Sequence, residues 1–383
     1  MRAVVCQNST LRVEDVPEPV PAKGHLVLDV VRAGICGSDL HARFHADLMA
    51  DAAQRVGMTG MMRLAQPVVM GHEFSGQVRE YGPKTRRRLP EGAAVVAVPM
   101  ILREGASDFV GLSATAPGAY AERIVVQESM TFLIPNGFSA QTAALTEPMA
   151  VAHHAVRKSG VGKGETAVVI GCGPIGLATI LMLRARGVRS IIASDYSAAR
   201  RALATRCGAR IVVDPGVDSP WTSFADSKYY TSAAALAEFG VKTIEKLRAV
   251  PFLPWHKVLR AAEAAGKSPR GPVVFECVGL PGVIDHIVNS APLYTRVVVV
   301  GVCMERDAIV PLMALTKELS LQFVFAYDPG EYHDTLHLMA EGKVDPTPLI
   351  TSTVGLADVP GAFDVLGKAE EQAKILVDPN GKA

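Results

Sequence analysis

The sequence predicts an α/β protein: a doubly wound parallel-sheet domain set into a strand-rich domain that both chain ends build. Three observations carry this expectation. From Ala167 to Asp195, an apolar β-branched run, three spaced glycines, an apolar helical stretch and a second apolar run ending at an acid follow one another within one βαβ length. Strand-then-helix units continue after Asp195 through the middle of the chain. Both chain ends are richer in short strands than this centre, the pattern of one discontinuous domain interrupted by another.

In chain order, MRAVVCQNSTLRVEDV alternates as a strand, VPEPVPAKGH is a proline-rich connection, and HLVLDVVRAGI alternates as a half-buried strand. After CGSDLHARFH, residues 46–66 carry Met49, Met58, Met61 and Met62 and are expected to form one or two short helices around Gly57 and Gly60. Strands resume at GHEFSGQVREYG and AAVVAV, a looser stretch covers 100–118, and GAYAERIVV is a further strand. A helix begins near Ala140, with Ser139 as its N-cap, and is interrupted at Pro148. Beyond Asp195 come the helix ARRALATRCGA and the strand RIVVD. Residues 215–270 exceed what one crossover needs: a polar aromatic loop (PWTSFADSKYY) precedes two helical stretches, AAALAEFGVKTIEKLRAV and WHKVLRAAEAAG. The strands PVVFECVG and RVVVVGV flank the helix VIDHIVNSA, and the chain closes with a helix at HDTLHLMAEGK and a strand at KILVDP.

The chain has 383 residues, 49% apolar and 20% charged, with a formal net charge of +1, as in a soluble globular protein of two domains. Arg86-Arg87-Arg88 is its one basic run and reads as a solvated loop, so no nucleic-acid partner is expected. No stretch approaches the ~18 uninterrupted apolar residues of a membrane span, and the N-terminus lacks a signal peptide's apolar core. Six dispersed cysteines without a C-x-x-C pair read as free thiols in a reducing cytoplasm, with any one available to a metal.

In the central unit, Gly171 permits the strand-to-helix turn, Gly173 lets the backbone approach a pyrophosphate, and Gly176 lets helix and strand pack closely. The helix N-terminus supplies N–H donors and a positive dipole. Asp195 sits where an acid bonds the adenosine ribose hydroxyls and repels a 2′-phosphate, which favours NAD over NADP. Arg200 and Arg201 follow closely; they lie either near such a phosphate or on the solvated face of the next helix, and the second reading is preferred.

Cys36 in GICGSDLH and His72 in GHE offer a thiol and an imidazole, with Glu73 beside them: the donor types of a catalytic Zn²⁺ site with one open position. Taken singly, Cys36 reads as a small buried hydrophobe and His72 as a satisfied core histidine. Together with VEDVPEPVP, GHEFSG, GAYAE, TEPMAVAHHAV, VVIGCGPIGL, FECVG and KILVDP, these motifs resemble the zinc-dependent medium-chain dehydrogenase/reductase family over almost the whole chain.

The resemblance implies a GroES-like, mainly-β catalytic domain at 1–151 and 326–383, and a Rossmann NAD-binding domain at 152–325 with an insertion around 215–255. It implies that Cys36 and His72 ligate one catalytic zinc, with Glu73 or Glu147 of the TEP motif as third ligand. Ser38 and His41 become a proton relay from the substrate hydroxyl, and Gly171, Gly173, Pro174, Ile175, Gly176, Asp195, Arg200, Val278, Gly301 and Lys374 become cofactor contacts. Many relatives hold a structural zinc on four closely spaced cysteines near residues 90–115; with no cysteine between Cys36 and Cys172, that zinc is expected to be absent. The methionines of 46–66 line an apolar pocket or form a local minicore, and the later insertion covers the cofactor cleft or a subunit interface. The implied activity is NAD-dependent oxidation of a primary or secondary alcohol. The alternatives are a polyol or amino-alcohol dehydrogenase, a zinc-free quinone or enone reductase, and a non-catalytic NAD(H) sensor. The implied partners are a small alcohol or carbonyl and further copies of the chain, as a homodimer or homotetramer joined near Arg296–Val302.

Overall fold

The two chain ends meet in one sheet. In this computed structural model, which describes residues 1–103, 106–222, 229–368 and 371–381, a seven-stranded sheet runs in the order Thr131–Leu133, Ala94–Ala97, Glu73–Tyr81, His25–Gly34, Lys374–Asp378, Ile350–Gly355, with Arg123–Gln127 also pairing to His25–Gly34. Lys374–Asp378 is antiparallel to His25–Gly34 and parallel to Ile350–Gly355. The opening stretch is a hairpin, Arg2–Gln7 with Thr10–Asp15, closed by Asn8 and Ser9 at φ 47° and 63°, as a two-residue turn that follows strand twist requires. Leu26, Leu28, Phe74, Tyr120 and Phe363 are fully buried in this unit.

The middle of the chain forms a six-stranded, wholly parallel sheet in the order Ile211–Val213, Ser190–Ser194, Thr166–Ile170, Val273–Glu276, Arg296–Val299, Ser320–Phe323. Strand order reverses between Thr166–Ile170 and Val273–Glu276, and the crevice at their carboxyl ends is where such sheets bind ligands. Val168, Val274, Phe275 and Val297 are buried, as continuous apolar strands covered on both faces must be.

Several expectations differ from the structure for identifiable reasons. Residues 46–55 form the second of two helical segments of Gly37–Arg55 that meet at a non-helical His45 (φ −125°, ψ 24°); Gly57 follows its end at φ +86°, and 58–66 hold no helix. Met62 is buried in the main core of the strand-rich unit, and Met49 and Met61, half-buried, pack against that core, so these three form no separate minicore. The helical stretch after Ser139 breaks between Ala143 and Thr146, ahead of Pro148. Pro148 then lies in the first turn of Thr146–Lys158, where a missing N–H costs nothing. The expected division after residue 151 falls inside this helix, whose Met149, Ala152 and Val156 join the parallel-sheet core. Arg296–Val299 is an interior strand, and the sheet's two edges are Ile211–Val213 and Ser320–Phe323. The inserted stretch forms two helices, Ala233–Arg248 and Trp255–Ala264; part of the expected aromatic loop, 223–228, lies outside the described residues.

Candidate active site

Strand register builds the centre of the site. Gly34 pairs with Glu73 on one side and with Leu376 on the other, so the side chains of Glu73 and Lys374 meet over it. A Cβ at Gly34 would stand 2.1 Å from Glu73 Oε2, so only glycine leaves the room. Lys374 Nζ donates to Glu73 Oε1 (2.7 Å), Glu73 Oε2 (2.8 Å) and the Ile35 carbonyl (2.9 Å), matching three acceptors to its three protons. Both side chains are fully buried. Burial alone would strip the Lys374 proton, but the charge of Glu73, helped by Cys36 and Glu147, holds its pKa above the usual lysine value.

The chain then turns at Ile35 and Cys36 into the helix Gly37–Arg55, with Cys36 as N-cap. Asp39, fully buried in the first turn, accepts the Cys36 N–H (3.1 Å) and the Tyr120 hydroxyl (2.5 Å) on Oδ2. Its Oδ1 stands 3.2 Å from His72 Nδ1, within ion-pair range yet off the line of a hydrogen bond. Burial pushes the Asp39 pKa up, but His72, Tyr120 and the Cys36 N–H outweigh it and hold it below the carboxylate norm. Burial likewise opposes charge on His72, and Asp39 and Cys36 raise its pKa well above that of ordinary imidazole. The carboxylate behind Nδ1 orients the ring so that Nε2 faces outward, where a bound metal would take the place of its proton.

That nitrogen, His72 Nε2, lies 3.2 Å from Ser38 Oγ. The ligand atoms of Cys36, His72 and Glu73 all lie within 4.8 Å of one another, the single such group of three among the described residues. Thiolate, imidazole and carboxylate are the donors of catalytic Zn²⁺, at bonds of about 2.0–2.3 Å, so after small side-chain adjustments the residues fit that ion. Glu147 stands outside this group of three but acts electrostatically on it. Burial, with the charge of Glu73, pushes its pKa up to about 7 against the pull of His72, a Tyr327 hydrogen bond and Lys374. His41 lies three residues after Ser38 on the same helix, so both face one side. It is half-buried, and burial together with His45 lowers its pKa below the ordinary value.

The second half of the site lies at the strand reversal. Gly171 has φ +88°, and a Cβ there would meet Val278 Cγ2 at 2.7 Å; a Cβ at Gly176 would meet the Gly171 carbonyl at 1.9 Å. Gly173 caps the helix Pro174–Ala185 and has open space in front of it, the approach a pyrophosphate requires. Asp195 accepts the N–H groups of Cys172 (2.7 Å) and Ser197 (2.8 Å), so the carboxylate is fixed beside the glycine turn. Arg201 is not on a solvated face: it donates to the carbonyls of Asp195 and Tyr196 and pairs with Asp214. Arg200 is half-buried, its Nε without a hydrogen-bond partner. Val278 and Gly301 come together at the ends of adjacent strands, tied by Glu276, which accepts the Val278 and Gly279 N–H groups.

Of the expected cofactor contacts, Lys374 is placed elsewhere. A buried ammonium must neutralise itself against the nearest carboxylate, and all its donors are taken by Glu73 and Ile35. Sequence reasoning missed Asp39, Tyr120 and Tyr327. The acid in C-G-S-D and the aromatic in GAYAE were visible, but nothing local shows that they meet across 81 residues.

Residues 22–136 match the family model for the alcohol dehydrogenase GroES-like domain, and residues 174–341 match that for the zinc-binding dehydrogenase. The chain is 31% identical over 380 residues to (R,R)-butanediol dehydrogenase of Bacillus subtilis, covering 97% of each chain. The crystal structure of 2R,3R-butanediol dehydrogenase from that organism superimposes with a TM-score of 0.76 at 30% identity, over 99% of both chains. D-xylulose reductase A of Aspergillus oryzae is 30% identical over 381 residues, 96% of this chain and 93% of that one. A zinc-binding dehydrogenase from Sinorhizobium meliloti, solved bound to NADP, gives a TM-score of 0.74 at 25% identity over 99% of both chains.

Proposed function

This chain belongs to the zinc-dependent medium-chain dehydrogenase/reductase family, and from that premise we propose that it oxidises an alcohol to its carbonyl with NAD as acceptor. The observation that carries the reading is the convergence of Cys36, His72 and Glu73 within 4.8 Å, beside Ser38. Cys36, His72 and Glu73 would hold one zinc, with Glu147 next to them. A carboxylate oxygen has a second lone pair, so Glu73 serves as ligand while Lys374 holds it in place. Zinc bound there acts as a Lewis acid that lowers the pKa of the substrate hydroxyl. The nicotinamide supplies the hydride acceptor.

The chain's own residues handle the proton. Asp39 sets the His72 ring. With Nε2 engaged as a ligand, the Ser38 hydroxyl is released to accept the substrate's proton while passing its own on. His41, neutral at pH 7 because its pKa is lowered, takes that proton towards solvent. The balance is alcohol plus NAD⁺ giving carbonyl, NADH and one proton. The relatives named for butanediol and xylulose support a diol or polyol as substrate. Asp195, with its carboxylate fixed by two backbone N–H groups, supports NAD over NADP. For assembly we favour a homodimer or homotetramer joined at the edge strand Ser320–Phe323, where Phe323 is 70% exposed.

The test is metal content of the purified protein, with a Cys36→Ala variant and NAD-linked turnover on a panel of simple alcohols, diols and polyols. About one zinc per subunit, lost in the variant together with turnover, supports the reading. Protein free of zinc when purified without chelators, yet reducing quinones or enones, overturns it.

A further inference from the structure

The insertion in the parallel-sheet domain forms a helical arm. In Ala233–Arg248 and Trp255–Ala264 no residue is fully buried, and the turn between them carries apolar side chains outward: Val250 is 51% exposed, Phe252 105% and Trp255 37%. The turn is closed by backbone bonds, Leu253 N–H to the Val250 carbonyl and Trp255 N–H to the Leu253 carbonyl, with Pro251 and Pro254 restricting it further. It therefore holds an apolar tip away from any core. Residues 229–270 contain seven Lys and Arg against three Glu, in a chain whose whole formal charge is +1. Away from the tip Lys242 pairs with Glu238 and Arg260 with Glu263, while Lys267 and Arg270, beyond the second helix, make no ion pair among the described residues. At the tip, the exposed Lys246, Arg248 and Lys257 make no ion pair among the described residues, and Glu245 is the one acid at that level.

We propose that this tip docks on a membrane surface carrying anionic lipids, with Phe252, Val250 and Trp255 entering the headgroup–acyl boundary and Lys246, Arg248 and Lys257 against lipid phosphates. Charge complementarity selects this occupant: an aromatic and aliphatic wedge ringed by uncommitted cations matches a surface apolar at depth and negative above. A second copy meeting tip to tip would oppose the same cations. The docking is peripheral, since no helix among the described residues is long and apolar enough to cross a membrane.

The test is co-sedimentation of the full-length protein with vesicles of phosphatidylcholine alone and of equimolar phosphatidylcholine and phosphatidylglycerol, with tryptophan fluorescence recorded in parallel. The variants are Phe252→Ser and a triple variant, Lys246→Gln, Arg248→Gln and Lys257→Gln; all four positions are exposed, so secondary structure and turnover in solution stay as in the parent. Expected are salt-sensitive binding to the anionic vesicles with a blue shift, about fivefold weakening per neutralised cation, and about tenfold or more for Phe252→Ser. Absence of binding, equal binding to both vesicle types, or binding unchanged in both variants overturns the proposal. So does a change of oligomeric state in the variants without loss of vesicle binding, which would assign the tip to a second copy.

Discussion

Replacing Lys374 with Met removes the cation that holds Glu73 and leaves the rest of the side chain's volume in place. The parent ammonium and carboxylate are both buried, joined at 2.7 and 2.8 Å, with a third bond to Ile35. Breaking such a pair by removing one partner costs about 3–5 kcal/mol, because the surviving charge stays desolvated. Here it also stays close to Glu147, a carboxyl already pushed up to about 7. Against a typical total of about 5–15 kcal/mol this is a large share. The double variant Lys374→Met with Glu73→Gln removes both charges and should recover the loss to within about 2 kcal/mol, giving a coupling term typical of a contacting pair. The assay is urea unfolding of metal-free protein followed by circular dichroism. Lys374 has a raised folded-state pKa, so its contribution is fully present below the unfolded lysine value near ~10.4 and is lost only as pH rises through the higher folded value. Lys374 itself therefore adds no pH dependence between about pH 6 and 9, but in the single variant the unpaired, buried Glu73 takes up a proton as pH falls, so the gap between parent and variant is widest at the alkaline end of that range and narrows towards about pH 6. A single-variant loss under about 1 kcal/mol, or a double variant no better than the single, would refute the reasoning.

Three further outcomes follow from the site. His41→Gln should lower alcohol turnover at neutral pH by about a hundredfold and abolish the acid limb of the rate profile. That limb lies below the ordinary imidazole value because His41's pKa is lowered and only its neutral form accepts a proton; an unchanged profile would remove His41 from the relay. Asp195→Asn should cut the preference in kcat/KM for NAD over NADP by about ten- to a hundredfold, the worth of a hydrogen bond to a charged group; equal ratios in both proteins would show that the carboxylate does not read the ribose. Tyr120→Phe removes the hydroxyl bonded to Asp39 at 2.5 Å. It should weaken zinc retention against a chelator by about tenfold or more and cost about 1.5–3 kcal/mol in stability, whereas unchanged retention would confine Tyr120 to packing.

The dinucleotide cradle was legible because its information is local. Gly171, Gly173 and Gly176 each answer a constraint set within a few residues: a positive φ, an open approach, and contact with a carbonyl five residues back. Asp195 is one strand away from them in the same βαβ unit, and the parallel register brings its carboxylate to the Cys172 N–H. The helix start at Ser139 was likewise set by a side chain that accepts an N–H group three residues on. The break before Pro148 was misplaced because proline forbids a helix interior but not a first turn, and only the neighbouring backbone decides which position it occupies.

By itself, then, the sequence determined the fold class, the order of the parallel units and the residue types assembled for chemistry, since period, glycine spacing and capping act over a turn or a strand. The tertiary structure alone decided how those residues are paired. Lys374 reaches Glu73 across 301 positions because two strands flank Gly34 in one sheet. Tyr120 reaches Asp39 across 81 because a buried carboxylate must find donors wherever packing supplies them. Such partners are chosen by desolvation, which exists only once the chain has closed around them.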